Sequence, residues 1–246
     1  MKSKEDLKIL LLQIREDEIT LQEEYENFLL RANLKAEQLV AYNIFFLQSF
    51  DQEIVNDFDA VFIGGSSDVT VTDPEKFPFL SSAYQLLQKC AETNIPVFAS
   101  CFGIQMLSEA FGGKVIIDKD NKELGTFRIY LEPEAREDHL LSHLPETFLA
   151  VLGHKERIER LPENFVVLAK SKKCPYQIIR MQDKPIYGFQ FHPEMNKKDF
   201  VNRLERYQTV YVDDQNSLQN IIDQAEDTPE ANQLLKIFLE KIVING

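Results

Sequence analysis

The first half of the chain alternates short apolar runs with segments whose apolar residues recur at helical spacing. The runs at 7–14, 38–42, 59–63 and 96–99 predict buried strands. The helical spacing predicts helices at 20–32, 79–90 and 102–111, the last of which ends at two glycines. Buried strands that alternate with helices predict a mostly parallel central sheet with helices on both faces.

The middle of the chain has a different pattern, with strand-like runs separated by short turns at 123–131, 148–152, 166–170, 176–181 and 186–191. Short turns favour antiparallel pairing, so we expect a small antiparallel sheet in addition. The C-terminal part is helical, with an apolar stripe that suits packing on the main body: Ala231, Leu234, Leu235, Phe238 and Ile242. The chain is therefore predicted to be one α/β domain over 1–246, with a helical C-terminal extension from about residue 197.

Charge excludes some classes of function. The 246 residues include 40 acidic and 27 basic side chains, for a net charge of −13. An acidic surface repels phosphate backbones and anionic lipids, so we expect neither nucleic acid nor membrane binding. The longest uncharged stretch, 38–50, is also shorter than the about 18 apolar residues of a spanning helix.

The cysteines and the N-terminus bear on the compartment. Three cysteines, Cys90, Cys101 and Cys174, do not suggest a disulfide framework. The charged N-terminus is followed by an apolar run that is too short for a signal peptide. We therefore expect a reducing, cytoplasmic location.

Cys101 is the first candidate for chemistry. It stands between the strand predicted to end at Ala99 and the helix predicted to begin at Phe102, at the sheet edge where α/β proteins bind ligands. A helix N-terminus stabilises a thiolate, and the N–H of Phe102 is available to an oxyanion. Gly103 permits a close approach to a substrate. Taken alone, a cysteine in such a place is more often a small core residue.

His192 and Glu194 form a second candidate. A predicted strand delivers His192 just beyond the sheet edge, and Pro193 fixes the chain direction. Glu194 could accept a hydrogen bond from the imidazole and so set its tautomer. A third candidate is Gly64-Gly65, which could direct backbone N–H groups into a cleft after a buried strand. Taken alone, these segments also fit a surface His-Pro turn and a simple Gly-Gly turn.

The three segments together, in the order glycine loop, cysteine and His-x-Glu, resemble the class I glutamine amidotransferase family. The most specific stretches are Cys101-x-Gly103-x-Gln105 and Phe191-His-Pro-Glu194. Within the family, the sequence is most similar to stand-alone domains like the glutaminase part of GMP synthase. The resemblance covers nearly the whole chain and implies a flavodoxin-like α/β fold.

The resemblance also implies a role for each matching position. Cys101 would attack the side-chain amide of glutamine to form a γ-glutamyl thioester, His192 would transfer protons, and Glu194 would hold the imidazole. The oxyanion would be stabilised by Phe102 and by Gly65 or its neighbour Gly64. Gln105 would hold the amino-acid end of the substrate. His154, in Gly153-His-Lys155, matches a pocket-lining position but is equally readable as a structural loop residue.

Several features limit or qualify the resemblance. Ala99 stands where relatives usually have glycine, and Ser100 and Ile104 also differ from the commonest residues. The cysteines and histidines show no paired metal-ligand spacing, and no phosphate-binding loop followed by Lys-Ser/Thr is present, so neither a metal nor another cofactor is expected.

Three functions remain open at this stage. The first is a glutaminase whose ammonia passes to a separate synthetase chain, because the residues after Glu194 are too few for a nucleotide-activating domain. The second is a free-standing hydrolase of γ-glutamyl amides or peptides, which a pocket open beyond the γ-amide nitrogen would favour. The third is a binding module whose triad no longer catalyses.

Overall fold

A computed structural model describes residues 3–66, 69–208 and 215–246. Its strands are β1 (Ile9–Ile14), β2 (Leu39–Asn43), β3 (Ala60–Ser66), β4 (Val97–Ser100), β5 (Lys114–Ile117), β6 (Glu123–Leu131), β7 (Thr147–His154), β8 (Glu156–Arg160), β9 (Phe165–Lys170), β10 (Ile178–Met181) and β11 (Ile186–Phe189). Its helices are α1 (Glu18–Ala32), α2 (Phe79–Thr93), α3 (Phe102–Ala110), α4 (Lys197–Arg206), α5 (Gln215–Gln224), α6 (Pro229–Asn232) and α7 (Leu234–Phe238), followed by a π-helical turn (Leu239–Ile244).

Within these residues, one large sheet has the strand order β2-β1-β3-β4-β11-β10-β9-β6-β7. The first five strands are parallel, and antiparallel pairing begins at β11 and β10. The remaining strands continue the sheet in antiparallel fashion. The predicted α/β class is confirmed, including a small antiparallel sheet formed by β5 and β8. The sequence did not predict β5 and β8. The strands that it did predict in the middle of the chain, β6, β7, β9 and β10, belong to the main sheet.

Two apolar layers cover the sheet. On one face, α1 and the C-terminal helices pack on the strands through side chains that include Phe28, Phe62, Phe98 and Phe238. On the other face, α2 and α3 pack through Leu86 and Ile104. The parallel strands β1, β4 and β11 are buried along their whole length, as expected for strands covered on both sides.

The strand order determines which loops meet. β3, β4 and β11 are neighbours in the sheet and run parallel, so their carboxyl ends lie side by side. Gly64-Gly65 lies at the end of β3, Cys101 follows β4, and His192 lies shortly after β11. The predicted strand 59–63 extends through both glycines to Ser66. Three segments that are distant in sequence therefore converge on one edge.

None of the helices in the described part of the chain combines the length and the apolar character needed to cross a membrane.

Candidate active site

Cys101 occupies a strained turn between β4 and α3. Its backbone has φ 50° and ψ −100°, a region that residues with a side chain rarely adopt. The Cys101 N–H donates to the carbonyl oxygen of Phe189 at 2.7 Å, which ties the turn to β11. The first turn of α3 begins at Phe102, so the N–H of Phe102 has no acceptor within the helix. The turn therefore presents the thiol at the N-terminus of a helix.

His192 and Glu194 form a buried pair. His192 Nδ1 lies 2.7 Å from Glu194 Oε1, and Glu194 is fully buried. The backbone N–H of His192 donates to the carbonyl oxygen of Val151 at 2.8 Å, and this bond anchors the segment after β11 to β7. The imidazole also interacts with the side chain of Cys101. The ring is thus placed between a carboxylate and a thiol.

The surroundings of His192 and Glu194 favour the charged forms of both side chains. Burial by itself would lower the pKa of His192, but attraction to Cys101 and Glu194 outweighs burial and raises it to about 10. Burial opposes ionisation of Glu194, and the facing imidazolium nevertheless lowers the pKa of this carboxyl. The imidazole therefore carries its proton at neutral pH, next to the cysteine sulfur. By contrast, burial raises the pKa of both Cys90 and Cys174 to about 12.

The two glycines have different surroundings. A Cβ on Gly65 would lie 3.0 Å from His192 Cε1 and 3.6 Å from Cys101 Cβ. A Cβ on Gly64 would instead lie 2.5 Å from Glu24 Oε1. The structure thus brings Gly65 to the cysteine and histidine, whereas Gly64 faces α1.

A small cleft opens beside Cys101, and Phe102, Gln105 and His154 are among its lining residues. Gln105 Nε2 donates to the carbonyl oxygen of Glu156 at 3.1 Å. This bond ties α3 to the first residue of β8, and both elements contribute residues to the lining of the cleft.

His154 lies in this wall with both ring nitrogens occupied. Its Nδ1 is 3.0 Å from the carbonyl oxygen of Glu156, and its Nε2 is 3.0 Å from Glu123 Oε2. The structure therefore places His154 beside the cleft and holds its ring within the protein.

Two features of the site are absent from our sequence prediction. The carboxyl of Glu156 lies in the cleft wall, where burial raises its pKa and Thr70 Oγ1 donates to it at 2.9 Å. The pair Arg15–Glu24 is buried next to the glycines. Arg15 directly follows the buried strand β1, and a charged residue at a strand end is the signal by which the sequence could have indicated it. Glu24 carries no such signal, because it lies within a helical pattern.

The model of the family described as "Glutamine amidotransferase class-I" matches residues 23–208. The chain belongs to this family. The match includes the turns at Gly65, Cys101 and His192 and ends before α5. Of the described residues, no three His, Cys, Asp or Glu side chains are grouped as metal ligands.

Members of the family with related sequences are named as GMP synthases. The chain is 39% identical over 114 residues to a glutamine-hydrolysing GMP synthase from Thermosipho africanus, covering 46% of this chain and 21% of that protein. It is 31% identical over 145 residues to a protein from Pyrococcus abyssi named as one subunit of a glutamine-hydrolysing GMP synthase, covering 59% of this chain and 70% of that protein. The chain thus spans only about a fifth of the Thermosipho enzyme.

Solved structures share the fold. A glutamine amidotransferase from Thermotoga maritima superposes with a TM-score of 0.73 at 21% identity, covering 96% of this chain and 98% of that one. The crystal structure of SMU.1228c has a TM-score of 0.73 at 24% identity, with 95% and 99% coverage.

Proposed function

We propose that this amidotransferase hydrolyses the side-chain amide of glutamine through a thioester on Cys101. The observation that carries the proposal is the arrangement around His192, whose buried ring contacts the Cys101 side chain and pairs with Glu194 at 2.7 Å. This arrangement supplies a nucleophile, a proton carrier and a group that orients the carrier.

The reaction follows from these positions. The Cys101 thiolate attacks the amide carbon, and the N–H groups of Phe102 and Gly65 stabilise the resulting oxyanion. His192 donates its proton to the departing nitrogen, so that ammonia leaves and the thioester remains. His192 then accepts a proton from water, which attacks the thioester carbon. Cleavage of the carbon–sulfur bond releases glutamate and restores the thiolate–imidazolium pair.

The cleft beside Cys101 supplies groups for the amino-acid end of glutamine. The Glu156 carboxyl is partly desolvated there, and a substrate ammonium would favour its charged form. Gln105 and His154 both bond to the carbonyl oxygen of Glu156, at the start of β8, and so hold this residue in place. We assign Gln105 and His154 to shaping the cleft.

The decisive experiment is glutamate release from L-glutamine by the purified protein. Cys101→Ala should abolish release. Cys90→Ala, the same change at a buried thiol on α2, is the matched control and should retain it. No release by the wild-type protein, with or without an added synthetase, would reject the proposal and leave a hydrolase of larger γ-glutamyl amides or a non-catalytic binding module.

A second candidate is hydrolysis of a larger γ-glutamyl amide. A separate cleft lies on the His192 side, with Val151, Met195 and Phe200 in its walls. The departing nitrogen would be next to His192, so a larger leaving group would extend in this direction. A panel of γ-glutamyl peptides assayed against glutamine tests this candidate. Faster release from peptides than from glutamine would favour it.

We infer that ammonia from the first reaction passes to a separate synthetase chain. The similarity to a Pyrococcus relative that is named as one subunit of GMP synthase supports this inference. A synthetase chain should raise glutamate release and should consume the ammonia, which a coupled assay with both chains would measure. The matched reference is the same synthetase with Cys101→Ala and added ammonium.

A further inference from the structure

The pairing of β1 and β3 is irregular where β3 reaches the site. Leu12 pairs with Ile63, and the next pairing joins Ile14 to Ser66. Two residues advance on β1 while three advance on β3, so Gly64 and Gly65 form a bulge. A bulge leaves peptide groups outside the regular ladder, and their orientation must be set by other contacts.

One buried ion pair lies against both glycines. Glu24 Oε1 accepts from Arg15 Nε at 3.1 Å and from Arg15 Nη2 at 2.5 Å, and both side chains are almost fully buried. The carboxylate of Glu24 occupies the space where a Cβ of Gly64 would lie, at 2.5 Å from that position. Arg15 Nη2 is 3.2 Å from the corresponding position on Gly65.

The same pair is fixed from outside the bulge. Gln13 Nε2 donates to Glu24 Oε2 at 3.2 Å and to the carbonyl oxygen of Leu21 at 2.8 Å. These bonds link the end of β1 to α1. His192 Cε1 is 3.0 Å from the Cβ position of Gly65, so the guanidinium and the imidazole border the same space beside this glycine.

We propose that Arg15 and Glu24 are positioning residues for the reaction, holding the Gly64-Gly65 bulge so that its backbone N–H groups face the oxyanion at Cys101. The inference rests on the proposed amide hydrolysis. A buried ion pair replaced by apolar residues of similar volume is often neutral for stability, so stability alone does not require charge here. The hydrogen bonds of Glu24 with Arg15 and Gln13 instead hold both side chains in one arrangement, against the glycine positions of the bulge.

The test compares two double variants. Arg15→Met/Glu24→Leu removes both charges at similar volume. Its matched control, Arg206→Met/Glu23→Leu, makes the same change in the Arg206–Glu23 ion pair, which is partly exposed and outside the site. We use double variants because a single substitution at the buried pair would leave an uncompensated charge and could unfold the protein.

We expect the buried double variant to lower kcat for glutamine hydrolysis by roughly 10- to 100-fold with KM changed less than about twofold. An oxyanion donor acts only in the transition state, so its misplacement spares ground-state binding. Alkylation of Cys101 by iodoacetamide needs no oxyanion hole and should keep its rate. The control variant should match the wild type. Unchanged kcat in the folded buried double variant would overturn the proposal.

A second measurement needs no substrate. Amide hydrogen exchange at 64–66 should be faster in Arg15→Met/Glu24→Leu than in the wild type, while exchange along β1 stays the same. Unchanged exchange at 64–66 would overturn the positioning role even if the protein proved inactive on glutamine. An inactive wild type with faster exchange in the variant would instead reject the proposed hydrolysis and retain the role of the pair in holding the bulge.

Discussion

At the scale of single residues, the three cysteines differ by their neighbours. Cys101 faces a protonated imidazole at a helix N-terminus, while desolvation is the largest influence on Cys90 and Cys174. A neighbouring cation favours the thiolate, and burial in apolar surroundings disfavours it. The residue type is the same in all three places, so the environment alone distinguishes the proposed nucleophile from the two other buried cysteines.

This difference predicts selective labelling. Iodoacetamide at neutral pH should modify Cys101 and leave Cys90 and Cys174 unmodified, because only the thiolate reacts and burial holds the pKa of the other two near 12. Peptide mass mapping of the native protein measures the modification at each site. The urea-unfolded protein, in which all three should react, is the control. Equal labelling of Cys90 in the native state would contradict the prediction.

The His192 ion pairs predict a pH dependence of stability. The folded state holds the His192 proton up to about pH 10, whereas an ordinary histidine releases it near 6.5, so this contribution is complete below 6.5 and is lost as pH rises towards 10. The Glu194 contribution is complete above about 4.5 and is lost at lower pH, because its folded pKa is lowered. The free energy of unfolding should therefore decline from pH 6.5 upwards.

Urea unfolding of the wild type and of Cys101→Ala across this range measures the effect. The variant removes one of the two attractions that raise the pKa of His192, so its decline should be shallower. The difference between the two curves therefore reports the linked titration of Cys101 and His192, because the other titratable groups are common to both proteins. Equal slopes of unfolding free energy against pH in the two proteins would show that Cys101 does not raise the pKa of His192.

At the scale of elements, the approach of α3 to the sheet depends on small residues. A Cβ on Gly103 would lie 2.9 Å from Ala99 Cβ and 3.2 Å from Ile63 Cβ. The methyl group of Ala99 occupies the space that the absent side chain of Gly103 leaves open. Because Gly103 has no side chain, the first turn of α3, which carries the Phe102 N–H, packs closely against the sheet.

This packing predicts strong coupling between the two positions. Gly103→Ala should destabilise the fold by about 1–3 kcal/mol through overpacking, partly offset by the better helix propensity of alanine. Ala99→Gly/Gly103→Ala should recover part of the loss, because the two methyl groups exchange places. Urea unfolding of both single variants and the double variant gives the coupling energy, expected at about 0.5 kcal/mol or more. Additive effects would contradict direct contact.

At the scale of the whole molecule, the C-terminal helices complete one face of the sheet. The family match ends at residue 208, yet Phe238 of α7 is fully buried and contacts the core. Its ring centroid lies 5.3 Å from that of Phe98 and 6.0 Å from that of Tyr187. We propose on this basis that 1–246 is one domain, with a helical extension from about residue 197 that folds as part of it.

The extension should therefore contribute to global stability. Phe238→Ala should lower the free energy of unfolding by about 3–5 kcal/mol, because it opens a cavity between α7 and the sheet. Leu30→Ala on α1, where the side chain is 66% exposed, should change it by less than about 0.5 kcal/mol. Urea unfolding followed by two probes measures both variants. A separate early transition in Phe238→Ala would mean that the extension is an independent unit.

The sequence by itself determined the local elements and the candidate chemistry. Apolar periodicity located α1, α2 and α3 to within a few residues, because burial on one side leaves a repeating pattern. The same pattern put Gly65, Cys101 and His192 at strand ends, which is where parallel sheets place reactive groups. The spacing of two residues between His192 and Glu194 allowed a hydrogen bond between their side chains, and the structure contains it.

Only the tertiary structure decided which strands are neighbours and what surrounds each group. β11 lies beside β4 although about 85 residues separate them, and no local pattern encodes such a pairing. The strands β5 and β8 were likewise not predicted, because few of their residues are buried and they lack the fully buried run that marks β4. The contacts of His154 with Glu123 and of Arg15 with Glu24 join residues from different elements. Hydrogen bonds and charge pairing across space depend on distances that the order of residues does not contain.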